Sequence, residues 1–184
     1  ELFITNLNFT FAIKIFYMEI IKSSSLEFLK KYLNNSSPTG YEIEGQKIWT
    51  EYLKNYVHNF ITDSYGTAVG VINPDAKFKL VIEAHSDEIS WYVNYITDNG
   101  LIYVIRNGGS DHQIAPSKDV NIHTKKGIVK GVFGWPAIHT RKPSKEESPK
   151  IDNIFIDVGA KDKKEVEKLG VHVGSVVTYP DQFR

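Results

Sequence analysis

His85 and Asp87 are the residues whose types and spacing best fit a chemical role. They lie in the stretch KLVIEAHSDEISW, residues 79–91, in which an apolar run leads into a histidine, a serine and two acids. A neutral imidazole can bind a metal ion through one ring nitrogen while a nearby carboxylate fixes its tautomer through the other. Glu88 adds further negative charge beside them. The pattern is therefore compatible with a metal ligand at His85 whose tautomer is fixed by Asp87.

A purely structural role is the alternative for the same residues. A histidine at the end of a strand can simply hydrogen-bond to the following turn, with two solvated acids beside it. A three-residue motif also has many accidental matches. The remaining histidines have weaker contexts, and each is more typical of a surface or structural histidine than of a ligand: His58, His112, His123, His139 and His172.

Several enzyme classes are excluded by what the sequence lacks. It contains no cysteine, which removes disulfides, thiolate nucleophiles and cysteine-bound zinc, so any metal must be bound by His, Asp and Glu. It has neither the G-x-S-x-G elbow of a serine hydrolase nor the H-E-x-x-H of a helical zinc site. The pair Gly108-Gly109 lacks the Lys-Ser/Thr and the following helix of a phosphate loop.

Length and charge restrict the partners. The chain has 184 residues, which suits one domain or a compact domain that carries an inserted module. Its 22 basic residues balance its 22 acidic residues, so no excess charge favours a nucleic acid or an anionic membrane. The absence of cysteine suits a reducing cytoplasm, where we expect the protein to act.

Met18 opens an ordinary protein start, and residues 1–17 are expected to be an extension of doubtful origin, neither signal peptide nor membrane span.

The first part of the chain predicts two helices followed by strands. Leu26, Leu29 and Leu33 form the apolar stripe of a short amphipathic helix. After the polar break NNSSPTGYE, Thr39 and Glu42 fit a capping box for a second helix. Strands follow from about residue 60. The continuous apolar run 80–82 predicts a strand that is buried on both faces, as in the centre of a helix-flanked sheet.

The part after Asp87 predicts a β-rich module. Short apolar segments alternate with turn residues: ISWYVNYI, LIYVIR, DVNIHT, IVKGVFGW, NIFIDVGA and SVVTY. One short helix, KDKKEVEKLG, is expected to end at Gly170. The aromatic residues of SWYVNYI fit either a hydrophobic core or an exposed interface.

Taken together, these segments resemble the glutamyl aminopeptidase family of metallopeptidases, which includes the tetrahedral aminopeptidases. SPTGYE (37–42) is similar to the family's P-S-G-x-E opening, DSYGTAVG (63–70) to its D-x-x-G-N segment, and IEAHSDEIS (82–90) to its A-H-x-D-E-I-G metal strand. NGGSDHQ, GIVKGVFGWPAIH and IFIDVGAKDKKEVEKLGVHVGSVVT resemble its insertion domain. The resemblance runs from Met18 to about Tyr179, with Thr67, Ser90 and Ser175 in place of the usual Asn, Gly and Asp.

The resemblance implies a fold, an activity and a metal centre. The fold class would be α/β: residues 18–88 start a helix-flanked mixed sheet of the zinc-peptidase kind, 89–180 form an inserted β-rich, barrel-like dimerisation domain, and 181–184 return to the catalytic domain. The activity would be removal of N-terminal residues from peptides by two divalent metal ions, zinc or cobalt, with homo-oligomers formed through the insertion domain. By position, His85 matches the first metal ligand and Asp87 the catalytic residue that orients it.

The resemblance also implies that this chain is inactive by itself. In the family, the bridging aspartate, the general-base glutamate and the remaining ligands follow the insertion domain, and this sequence stops at Arg184. One imidazole cannot hold a two-metal site. We therefore expect the N-terminal portion of a metal-dependent aminopeptidase. The alternative is a non-catalytic, truncated paralogue that serves as an oligomerisation module.

Overall fold

The computed structural model describes residues 21–141 and 148–183. The predicted extension at residues 1–17 lies outside these ranges. The described residues form two compact units: residues 21–35, 44–80 and 182–183 make the first, and residues 36–43 and 81–181 make the second. None of the helices in these ranges has the length and apolar character needed to cross a bilayer.

The first unit contains the two predicted helices and a hairpin. Helix α1 (Ser23–Leu33) and helix α2 (Ile43–Leu53) contact each other through Phe28 and Tyr52, whose rings stack with centroids 4.0 Å apart. Strands β1 (Asn59–Thr62) and β2 (Ala68–Val71) pair antiparallel. Two helices followed by strands were predicted here, and this order is confirmed.

The loop between β1 and β2 is held by Asp63. Its Oδ1 accepts hydrogen bonds from the backbone N–H groups of Tyr65 (2.9 Å) and Thr67 (3.0 Å). These bonds, with that of Thr67 the strongest, lower the pKa of the Asp63 carboxyl. Gly66 takes a φ of +84°, which an L side chain rarely adopts. This loop is the segment that resembles the family's D-x-x-G-N.

The prediction of a buried strand at residues 80–82 is wrong for the residues that the structure describes. Leu80, Val81 and Ile82 belong to no strand and are 76%, 76% and 90% exposed. A continuous apolar run is buried only when neighbouring strands and helices cover both its faces. Within the described ranges no strand pairs with this run, so its side chains face solvent.

The second unit is built around a closed six-stranded barrel in which all strand pairs are antiparallel. Its strands lie in the order β3-β4-β7-β6-β5-β8, with β8 returning to β3. Their bounds are Ser90–Ile96 (β3), Ile102–Asn107 (β4), Asp119–Thr124 (β5), Gly127–Gly134 (β6), Phe155–Asp157 (β7) and Val176–Thr178 (β8). The fold class predicted from the sequence, α/β with a barrel-like β-rich part, is confirmed.

Two helical elements complete this unit. A 3-10 turn spans Ile138–Thr140, and helix α3 spans Lys163–Lys168. Asp162 caps α3 by accepting a 2.9 Å hydrogen bond from the N–H of Glu165. Gly170 follows the helix with a φ of +96°, as the predicted ending at this glycine requires.

A bulge in β3 decides which of its aromatic residues enter the barrel core. Trp91 and Val93 point inward, and the pairing of β3 with β4 shifts between Val93 and Tyr95. Because the shift moves the alternation by one residue, Ile96 is buried instead of Tyr95. Tyr95 is 46% exposed and stacks on Tyr103 with centroids 4.7 Å apart. The aromatic residues of SWYVNYI thus serve both the core and the surface.

The centre of the core is an edge-to-face pair. The rings of Trp91 and Phe133 are both buried and lie with centroids 5.3 Å apart at 63°. The same core contains aliphatic side chains from the five strands other than β6: Val93, Ile102, Val104, Val120, Ile122, Ile156 and Val177.

The core pair yields a stability prediction. We expect Phe133→Ala to lower the free energy of unfolding of the barrel by about 3–5 kcal/mol, because it removes an aromatic contact and leaves a cavity. The matched control is Val132→Ala on the same strand, which is 43% exposed and should cost about 1 kcal/mol or less. Chemical denaturation followed by tryptophan fluorescence measures both. Equal losses would contradict the assignment of this core.

The barrel also contains a histidine that should make stability depend on pH. His123 on β5 is half-buried and its Nε2 lies 2.9 Å from the Thr178 hydroxyl. Burial lowers its pKa below 6.5. The unfolded chain then binds more protons in this range, so the stabilising contribution is complete above the unfolded pKa of about 6.5 and is lost as pH falls through the folded pKa.

We therefore expect His123→Gln to reduce the fall in unfolding free energy between about pH 7.5 and about pH 5. Thermal unfolding at several pH values measures the difference from wild type. His172→Gln, which removes an exposed histidine from the same unit, controls for the loss of one imidazole. An unchanged pH dependence in His123→Gln would refute the prediction.

Candidate metal-binding site

His85 is held by Asp87 in a geometry that leaves one ring nitrogen free. Its Nδ1 lies 2.9 Å from Asp87 Oδ1 and 2.9 Å from the backbone oxygen of Asp87. Since a carbonyl oxygen only accepts, Nδ1 must carry the hydrogen, and in the neutral ring the lone pair is then on Nε2. The His85 side chain is 85% exposed. The ring thus presents Nε2 to solvent as a metal donor would.

The segment after His85 is fixed by a neighbouring loop. Residues 37–39 run parallel to residues 87–88, with an isolated bridge between Pro38 and Glu88. The Glu88 N–H donates to the Ser37 carbonyl at 2.9 Å, and the Thr39 N–H donates to the Glu88 carbonyl at 3.3 Å. These backbone bonds place the SPTG loop directly beside the two acids.

Asp87 uses both of its carboxylate oxygens. Oδ2 accepts a 2.5 Å hydrogen bond from the Thr39 hydroxyl, and Oδ1 faces His85. The bond from Thr39, followed by that from His85, lowers the pKa of Asp87. The carboxylate is therefore ionised and is the charged partner of the imidazole.

The carboxylate of Glu88 binds a backbone N–H group of the neighbouring loop. Its Oε1 accepts a 2.7 Å hydrogen bond from the Ser37 N–H. Although Glu88 as a residue is exposed, removal of its carboxyl from water raises its pKa; the Ser37 N–H opposes this effect and the charge of Asp181 adds to it. Neither acid of the HSDE motif is simply solvated.

Thr39 belongs to this network, although the sequence analysis predicted that it caps the second helix. The predicted capping box is wrong: α2 begins at Ile43, the Thr39 hydroxyl binds Asp87, and Glu42 accepts from the N–H of Gly40 at 2.7 Å. A capping box needs the hydroxyl to reach the first turn of the helix. The sequence feature that could have pointed to a role at the site is the position of Thr39 inside the segment that resembles the family's P-S-G-x-E opening.

Comparison with known proteins decides the family. The model of the M42 glutamyl aminopeptidase family matches residues 66–184. The chain belongs to this family. It is a family of metal-dependent peptidases, and the resemblance noted from the sequence motifs is confirmed.

Individual members of the M42 family are similar to this chain in sequence and in fold. The curated lysyl aminopeptidase of Pyrococcus furiosus is 29% identical over 160 residues, which are 85% of this chain and 46% of that protein. The crystal structure of a TET aminopeptidase from a marine sediment Thaumarchaeota archaeon superposes with a TM-score of 0.84 at 26% identity, covering 89% of this chain and 46% of the other.

A third relative carries information on assembly. The Pyrococcus horikoshii TET1 peptidase, which can assemble into a tetrahedron or a large octahedral shell, matches with a TM-score of 0.71 at 26% identity over 86% of this chain and 47% of its own. In each of these comparisons the M42 chain spans less than half the length of its relative.

The residues of this M42 chain fit one ligand position but not a whole metal centre. Within residues 21–141 and 148–183, no group of three or more His, Asp or Glu side chains is arranged to hold a metal ion. A catalytic zinc needs about three protein ligands and a water. His85 Nε2 is one nitrogen that could contribute to such a set, and Asp87 is hydrogen-bonded to the other ring nitrogen.

The other histidines lie in different surroundings. His123 and His172 line a cavity of about 440 Å³ beside the barrel, and the Nδ1 of His172 lies 2.8 Å from the Val173 carbonyl. His112 contacts Arg106 in the NGGSDHQ loop, and His139 lies in the 3-10 turn.

Proposed function

We propose that this chain is the N-terminal portion of an aminopeptidase that removes N-terminal residues from peptides, with His85 as a metal ligand and Asp87 as the residue that orients it. The observation that carries the proposal is the 2.9 Å contact of His85 Nδ1 with Asp87 Oδ1, which leaves Nε2 available. Membership of the M42 family supports it. The metals proposed are two divalent ions, zinc or cobalt, since imidazole and carboxylate donors suit both.

What the chain's own residues do in this proposal is limited to preparing one donor. Asp87 keeps the hydrogen on Nδ1 of His85, which leaves the lone pair on Nε2. A bound metal ion would act as a Lewis acid toward the peptide carbonyl. Because no group of three or more His, Asp or Glu side chains in residues 21–141 and 148–183 is arranged to hold a metal ion, we propose that the 184-residue chain by itself binds metal weakly and hydrolyses no peptide.

The domain boundaries form part of the proposal. We place residues 18–88 in the catalytic α/β domain, residues 89–180 in the inserted barrel domain and residues 181–184 in the return to the catalytic domain. A cytoplasmic location is proposed with them, in keeping with a chain that has no cysteine.

A second candidate function is that of an oligomerisation module. The barrel carries an apolar surface, the β3–β4 patch, in which Tyr95 and Ile105 are exposed and Tyr103 is partly exposed. Exposed apolar patches of this kind favour contact with another protein. The M42 relative from P. horikoshii assembles into shells, so we propose that this chain forms homo-oligomers through its barrel.

The metal proposal is tested by a zinc titration of the purified chain. We expect Zn²⁺ to shift the imidazole ¹⁵N signal of His85 Nε2 with weak affinity, because one donor binds poorly. His85→Ala should abolish this response, while His139→Ala, which removes a histidine of the 3-10 turn, should preserve it. Peptide substrates with free N-termini should stay intact. Tight stoichiometric binding of zinc, or turnover of a peptide, would contradict the proposal that this chain by itself binds metal weakly and is inactive.

The assembly proposal is tested by sedimentation velocity over a range of concentrations. We expect Tyr95→Glu to shift the chain toward monomer, because it places a charge in the β3–β4 patch. Ile128→Glu, at a position that is 55% exposed on another strand pair, should leave the distribution unchanged. A wild-type chain that is monomeric throughout would exclude assembly through this unit.

A further inference from the structure

Thr39 occupies a position that joins the barrel to the carboxylate of Asp87. Its hydroxyl donates to Asp87 Oδ2 at 2.5 Å, while the other carboxylate oxygen faces His85 Nδ1 at 2.9 Å. A carboxylate that is free to rotate can offer either oxygen, or neither, to a neighbouring imidazole. The bond from Thr39 fixes one oxygen and thereby holds the other toward the ring.

The backbone of Thr39 is fixed on both sides. Its N–H donates to the carbonyl of Glu88 at 3.3 Å. Its carbonyl accepts from the Tyr92 hydroxyl at 3.0 Å and from the Asn107 side-chain amide at 3.0 Å. The following residue, Gly40, has a φ of +90°, which lets the chain turn away directly after these contacts.

The two donors to the Thr39 carbonyl belong to the barrel. Tyr92 lies on β3 and Asn107 ends β4, and these strands pair with Ser90 opposite Asn107. The amide of Asn107 also donates to the Ser90 hydroxyl at 2.8 Å and to the Tyr92 hydroxyl at 3.2 Å. Backbone hydrogen bonds pair β3 with β4 between Ser90 and Ile96. This pairing fixes the backbone positions of Tyr92 and Asn107, and the bonds between their side chains link the two donors.

We infer that Thr39 is a positioning residue through which the barrel sets the orientation and tautomer of His85. The order of contacts is Tyr92 and Asn107 to the Thr39 carbonyl, the Thr39 hydroxyl to Asp87, and Asp87 to His85. The inference rests on the proposed function, since the tautomer matters for metal binding only if His85 is a ligand. It adds a residue whose hydroxyl acts on His85 through Asp87.

The test compares Thr39→Val, which keeps the shape and loses the hydroxyl, with Thr39→Ser, which keeps the hydroxyl. The full 184-residue chain is labelled with ¹⁵N, and the Nδ1 and Nε2 shifts of His85 are measured at one alkaline pH that is the same for every variant. Wild type and Thr39→Ser should show the Nδ1–H tautomer. Thr39→Val should lose a measurable share of it to the Nε2–H tautomer at an unchanged unfolding midpoint, since Thr39 is exposed.

A second variant acts on the barrel end of the same path. Tyr92→Phe removes one of the donors to the Thr39 carbonyl, and we expect a smaller change of the His85 tautomer in the same direction. It also carries the test should Thr39→Val fail to fold. If the backbone carbonyl of Asp87 alone were enough to hold the Nδ1–H form, both variants would match wild type, and the positioning role of Thr39 would be overturned.

Zinc separates this inference from the proposed function. The affinity of His85 for Zn²⁺, followed through the same signals, should fall measurably, by up to about tenfold, in Thr39→Val. Loss of a group that is hydrogen-bonded directly to a ligand typically costs about tenfold or more, and Thr39 acts one contact further away. The affinity should stay near wild type in Thr39→Ser. If the wild-type His85 signals do not change when zinc is added, the result would count against the proposed function. A wild-type response that is equal in Thr39→Val would count against Thr39 only.

Discussion

Closure of the barrel by β8 is the contact on which the second unit depends. This strand has three residues, Val176–Thr178, all buried, and it pairs with β3 on one side and with β5 on the other. Without it, both neighbours would have an open edge, with unpaired N–H and C=O groups. With it, the sheet surrounds a core of interdigitated side chains centred on Trp91 and Phe133.

The closed barrel gives order to a segment that has little of its own. Residues 85–88 belong to no regular helix or strand, yet β3 starts at Ser90 and fixes the chain just after them. The loop of residues 37–39 bonds to the acids on one side and to Tyr92 and Asn107 on the other. A highly exposed histidine is thereby oriented while its Nε2 stays accessible, as our proposal that it binds a metal ion requires.

The apolar run before His85 shows the opposite situation. Leu80, Val81 and Ile82 have the β-branched and aliphatic composition of a central strand, and they are exposed within the described chain. Burial of such residues is favourable in proportion to the apolar area removed from water. That gain requires partners on both faces, and this chain spans less than half the length of its M42 relatives.

Local patterns were enough to predict the elements that depend on nearby residues alone. The stripe of Leu26, Leu29 and Leu33 predicted α1, Gly170 predicted the end of α3, and the alternating segments predicted the barrel strands, because period and turn chemistry act over a few residues. The motif around His85 and its neighbouring segments identified the family as well. Residue type and order carry that information without any contact being known.

The tertiary structure decided what depends on residues far apart in the chain. The bulge that exchanges Tyr95 for Ile96 in the core follows from the pairing of β3 with β4. The hydroxyl of Thr39 fitted a helix cap by spacing, and it binds Asp87 because the loop lies beside a segment 48 residues further along the chain. Spacing cannot reveal such a contact, since a hydroxyl donates to whichever acceptor the fold brings within hydrogen-bond distance.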